Sequence, residues 1–115
     1  MAKYNPYTVE SADLVTAVTV EMPSPLANFT VGIDVLDESG EVVDATGTFG
    51  IEIQTTVRLD FEDLKDADGV VIYNAATPET LTVEATPTIA VRVTPDTLAG
   101  TGADRYVVSV DQFAS

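Results

Sequence analysis

The side chains available for chemistry in this sequence are almost all carboxylates. Nineteen aspartates and glutamates stand against five lysines and arginines, with no histidine and no cysteine. The Ser-His-Asp and Cys-His routes to an activated nucleophile are therefore absent, as are disulfides and thiolate zinc sites. Paired carboxylates are what is left for catalysis, as in glycoside hydrolysis, where two acids stand about 5–10 Å apart across the bond to be cut. In so acidic a chain such pairs arise by chance, and most carboxylates belong on turns or outward strand positions as a solvated face. The expectation is a protein that is not an enzyme and needs no cofactor, with a small hydrolase as the third choice among function classes.

One acidic run is more pointed. Asp60-Phe61-Glu62-Asp63-Leu64-Lys65-Asp66-Ala67-Asp68-Gly69 contains an Asp-x-Asp-Gly fragment of the kind found in calcium loops. Aligned on an EF-hand, Asp66, Asp68 and Gly69 take the third, fifth and sixth positions, which puts Leu64 first and Ala75 last. The first carboxylate and the bidentate glutamate are both missing, so an EF-hand is excluded. A looser surface site around Asp63, Asp66 and Asp68 competes with a plain polar hairpin loop.

The other residues suited to recognition are aromatic. Tyr4-Asn5-Pro6-Tyr7 precedes the first clear strand, and Phe113 lies close to the other end. Tyrosine gives a large contact area for little entropy. Tyr4, Pro6, Tyr7 and Phe113 are thus the candidate partner-binding residues, either docking on a neighbouring subunit or covering the open end of their own fold.

What must position these groups is a β-structure. From Phe29 to Val35 the odd residues Phe29, Val31, Ile33 and Val35 are apolar and the even ones Thr30, Gly32 and Asp34 are not, the period of a half-buried strand. The alternation resumes over Phe49, Ile51, Ile53, Val57, Leu59 and Phe61, a run long enough to predict a bend near Gln54 to Thr56. Further strands are predicted at Leu14–Met22, Val70–Tyr73, Thr80–Ala85, Thr88–Thr94 and Arg105–Asp111, with Glu41–Asp44 as a short hairpin partner after the Asp37–Gly40 turn. Turn clusters fall at Pro23–Pro25, Asp66–Gly69, Asn74–Pro78 and Pro95–Gly102. Phe61–Ala67 has room for one helical turn and nothing more.

About eight short strands at this spacing predict an all-β, antiparallel β-sandwich, jelly-roll or immunoglobulin-like. The reading divides the chain into an N-terminal arm, 1–12, and a single sandwich domain, 13–115. The expected core is Val18, Val20, Phe29, Val31, Ile33, Ile51, Ile53, Val57, Leu81, Val83, Ile89, Val91, Val93, Tyr106, Val108 and Val110.

Bulk properties bound the partner. A chain of 115 residues with 45% hydrophobic residues can bury one core despite a net charge of −14. Scattered basic residues on an acidic surface make nucleic acid and anionic membrane poor partners. Met1 to Tyr7 lacks the roughly 7–15-residue apolar run of an export signal, so assembly in a cytoplasm is expected and the Asn28-Phe29-Thr30 sequon is taken as accidental.

The acidity, the absence of cysteine, and the ending Ile89-Ala90-Val91-Arg92-Val93-Thr94-Pro95 … Arg105-Tyr106-Val107-Val108-Ser109-Val110-Asp111-Gln112 give a chain that resembles the small β-sandwich accessory proteins of tailed bacteriophage virions, especially head decoration or cement proteins. The resemblance covers about Leu14 to Gln112. It implies a virion structural protein, assembled in the host cytoplasm, whose partner is the major capsid protein or another virion subunit. It also implies a homo-oligomer, with a trimer favoured. The alternative is a tail- or surface-associated adhesion module for glycan or protein. The net charge opposes self-association, so an oligomer interface should be apolar or matched by Arg and Lys, and salt should promote it.

Overall fold

The computed structural model describes residues 7–58, 60–84 and 86–112. Its elements are β1 (Tyr7–Glu10), β2 (Val18–Leu26), β3 (Phe29–Leu36), β4 (Thr46–Thr55), β5 (Glu62–Asp63), β6 (Lys65–Asp66), β7 (Gly69–Val70), β8 (Ile72–Asn74), β9 (Leu81–Val83), β10 (Thr88–Ala99) and β11 (Arg105–Gln112). One sheet has the order β1-β11-β3-β9. The second has the order β2-β10-β4-β5, with β8 also paired to β4, and β6 and β7 make a separate ribbon. Every pairing is antiparallel. The chain is an all-β antiparallel sandwich, as its period of two predicts.

The period sets the core. Phe29, Val31, Ile33 and Val35 of β3 point inward beside Tyr106, Val108 and Val110 of β11, while Val20, Phe49, Ile51, Val91 and Val93 close the layer from the other sheet. Each such side chain contributes about 1.5–3 kcal/mol when fully buried. Two tyrosines brace the sheets reciprocally. Tyr73 of β8 donates its hydroxyl to the Ile33 carbonyl of the opposite sheet at 2.9 Å. Tyr106 of β11 donates to the Thr16 carbonyl just ahead of β2. Phe49 packs against both rings, at centroid distances of 5.9 Å and 5.0 Å.

Several expectations are corrected. The arm assigned to 1–12 does not extend that far: Tyr7–Glu10 is an edge strand on β11, and Ser11 continues the pairing, donating its amide to the Tyr106 carbonyl and accepting the Tyr106 amide on its hydroxyl oxygen. Val57 is not core but 85% exposed. The bend expected near it ends β4 outright, in a turn closed by Arg58 N–H on the Thr55 carbonyl. Ile89 is only half-buried because a bulge between Thr88 and Ala90 makes it the extra residue, and Thr88 is buried in its place.

The turn clusters also misled. Pro23–Pro25 lies within β2, and β10 runs on through Pro95 to Ala99. Pro95 is tolerated because β2 stops at the pair Val18–Val93, so no strand on that side needs its missing N–H. Glu41–Asp44 contributes only an isolated Leu36–Val42 bridge. Phe61–Ala67 carries the short strands β5 and β6 in place of a helical turn.

Candidate functional site

The outer face of the five-stranded sheet is laid out by the register of β4 and β10, whose inward residues Ile51, Ile53, Val91 and Val93 leave the alternate positions facing away from the core. In one row Thr19, Arg92, Glu52 and Asp63 follow one another across β2, β10, β4 and β5. In the next outward row Thr94 pairs with Gly50, which pairs with Ile72. Ile72 is 62% exposed.

Arg92 is the fixed point of this face. Its Nε and Nη2 donate to the two carboxylate oxygens of Glu52 at 2.9 Å and 3.0 Å, and its guanidinium carbon lies 4.3 Å from the centroid of the Phe61 ring. The bidentate geometry is the strong form of an arginine–carboxylate contact, and the ring adds a cation–π attraction. The hydrogen bond to Glu52 raises the Arg92 pKa further above its ordinary value. A planar guanidinium is thus held in plane by a carboxylate and from one side by an aromatic ring. Both charged side chains remain partly open to solvent, at 38% and 26%.

Beside this unit lies a groove of about 510 Å³ lined by Glu52, Ile53, Thr55, Phe61, Glu62, Asp63, Lys65 and Thr86. Arg58 reaches its rim through an ion pair with Glu62 at 3.3 Å. The Thr55 hydroxyl is buried and, among the described residues, is the one buried side-chain polar atom without a hydrogen-bond partner.

Of the residues expected to bind partners, Tyr7 alone falls among the described residues. Tyr7 is half-buried and packs against the chain's own core, covering its own sandwich. Tyr4, Pro6 and Phe113 lie outside the described residues. The acidic run divides between elements: Asp63 sits in β5 opposite Glu52, while Asp66 caps the β6–β7 turn by accepting the Asp68 amide at 2.8 Å. Among the described residues no three carboxylates come together as a metal site.

No protein family profile matches this chain, and no curated protein matches it. Among solved structures it is similar to chitosan-binding module 1 derived from a chitosanase/glucanase of Paenibacillus sp. IK-5, with 18% sequence identity and a TM-score of 0.47, over 90% of this chain and 74% of that one.

Sequence reasoning missed Arg92, Glu52 and Phe61 as a group. Glu52 and Arg92 are outward polar positions in two well-marked strands, but nothing local reveals that a pairing 40 residues apart sets them side by side. By its spacing from Phe49, Ile51 and Ile53, Phe61 is expected as the last inward residue of a long strand. Since β4 ends at Thr55, the alternation is broken before Phe61 is reached, and the ring lands on the outer face.

Proposed function

We propose that this chain is a non-enzymatic recognition module, tail- or surface-associated, that docks on a glycan or protein through the outer face of its five-stranded sheet. The observation that carries this reading is where the positive charge lies. Arg58, Lys65 and Arg92 gather around one groove, against Glu52, Glu62 and Asp63. A chain of net charge −14 repels other acidic surfaces except where its field is locally balanced, and on this face the groove, where three acids meet three cations, is such a place. The rigid Phe61–Arg92–Glu52 unit supplies polar groups whose ordering is complete before a partner arrives, which lowers the cost of binding.

Capsid decoration is the second proposal, and the same charge balance supports it, since a contact repeated over a lattice needs only a modest interface per copy. One experiment addresses both. The protein is run through native gels containing soluble polysaccharides and, separately, co-sedimented with assembled phage heads. Retention abolished by Arg92→Glu supports docking through this face, with gel retardation favouring the glycan reading and sedimentation with heads favouring decoration. Retention that Arg92→Glu leaves intact, or no retention in either assay, overturns it.

A further inference from the structure

We infer that the groove beside Arg92 is a site for an uncharged saccharide bearing vicinal hydroxyls, an inference that rests on the recognition reading above and narrows its ligand. The first argument is charge. Three carboxylates, Glu52, Glu62 and Asp63, are matched by Lys65, Arg58 and Arg92, so the groove offers neither a polyanion nor a polycation a net attraction. A polyanion is further opposed by the rest of the molecule, and a polycation would be drawn to the acids outside the groove. An uncharged ligand with many hydroxyls meets no such penalty.

The second argument is the pattern of donors and acceptors. Arg92 spends Nε and one Nη2 hydrogen on Glu52, leaving its remaining N–H groups as donors. The Glu52 oxygens each keep a further lone pair. A guanidinium N–H beside a carboxylate oxygen, in one plane, matches a pair of neighbouring ring hydroxyls, one accepting and the other donating. The Thr86 hydroxyl donates to the Glu84 carbonyl at 3.0 Å and keeps its acceptor capacity.

The third is shape. Phe61 provides an apolar wall for the C–H face of a sugar ring, and a volume of about 510 Å³ falls within the usual range for a small-ligand site. The lining of the groove is mostly polar, which does not suit the apolar face of an amphipathic helix.

The test is an amide and arginine-side-chain NMR titration of the full chain with three uncharged hexasaccharides, cellohexaose, laminarihexaose and mannohexaose, each up to about 10 mM, which reaches weak single-site affinities. The expected result is saturable shifts for at least one of them, confined to Glu52, Thr55, Thr86 and the Phe61–Lys65 segment, with Arg92 Nε moving as well. Arg92→Lys keeps the charge but loses the bidentate plane and should weaken binding by about tenfold, near the worth of one charge-assisted hydrogen bond. Phe61→Leu, which keeps an apolar side chain, gives a second readout should Arg92→Lys disturb the sheet, and should also weaken binding. No shift with any hexasaccharide, shifts centred elsewhere, or full affinity in both variants would overturn the inference. If phage heads or a protein still bind in an Arg92-dependent way while every hexasaccharide fails, the saccharide assignment falls and recognition through this face stands.

Discussion

Tyr106 shows how a single buried polar group ties stability to pH. Its ring is fully buried, and burial pushes its hydroxyl up to about 12, against 10 for an exposed tyrosine. The folded state therefore keeps a proton that the unfolded chain releases first. Stability is unaffected below pH 10 and falls as pH rises from 10 to about 12, by on the order of 2 kcal/mol in total. Thermal melts between pH 9 and 12 should show this loss, to which the buried Tyr73 hydroxyl, also pushed up by burial, adds with the same sign; Tyr106→Phe should remove its own share while costing about 1 kcal/mol at neutral pH for the hydrogen bond to Thr16. Equal alkaline slopes in the two proteins would assign the loss to other groups. At the acid end Asp13 acts with the opposite sign. Its carboxylate accepts the Val15 and Thr16 amides and the Thr16 hydroxyl, which lowers its pKa, so the stability it adds is present at neutral pH and is lost on acidification below 3.8.

The long β4–β10 ladder contains an irregularity whose energetics belong to the element. Between the pairs Asp96–Thr48 and Ala99–Thr46 two residues of β10 face one of β4, and Thr97 takes up the bulge with a φ of 53°. For a β-branched residue this left-handed conformation is strained. Opposite it Gly47 has a φ of 105°, and a Cβ there would lie 2.6 Å from the Thr97 carbonyl oxygen. Thr97→Gly should relieve the strain and stabilise the protein by about 1 kcal/mol, a rise in Tm of roughly 4 °C. Gly47→Ala should cost about 2 kcal/mol or more, since backbone must move to admit the methyl group. Urea melts of the two variants check both signs, and a neutral Gly47→Ala would mean that the ladder opens easily at this end. The outer-face groove lies at the far end of the same ladder, near Thr55 and Thr88, so neither variant should disturb saccharide binding.

For the molecule as a whole the governing quantity is the charge of −14. Among the described residues each arginine is already paired: Arg58 with Glu62, Arg92 with Glu52, and Arg105 with Glu10 and Asp104. The unmatched acids repel one another across a surface where screening acts over about 10 Å at 0.1 M salt. Raising sodium chloride from roughly 20 to 500 mM should therefore raise Tm by several degrees. It should also promote any self-association, which light scattering at the two salt concentrations would register as an increase in mass, toward a trimer if the virion expectation holds. A mass that falls with salt would point to an interface held by opposite charges.

The alternation of apolar and polar residues in Phe29–Val35, Phe49–Ile53 and Tyr106–Val110 was enough to assign the fold class and most of the core, because a period of two is a local property that survives whatever pairs with the strand. The same locality misjudged Pro95, Ile89 and Val57. A proline is harmless when the neighbouring strand has stopped, a bulge shifts the inward positions by one, and a strand's end is set by its partners. The groove was not legible at all. Arg92, Glu52 and Phe61 are ordinary polar or strand-like residues in the sequence, and they become a unit only when β10 lies against β4 in one register and the turn after Thr55 brings the aromatic ring onto the outer face. Composition determined that the surface is acidic; long-range pairing alone decided where that acidity is balanced.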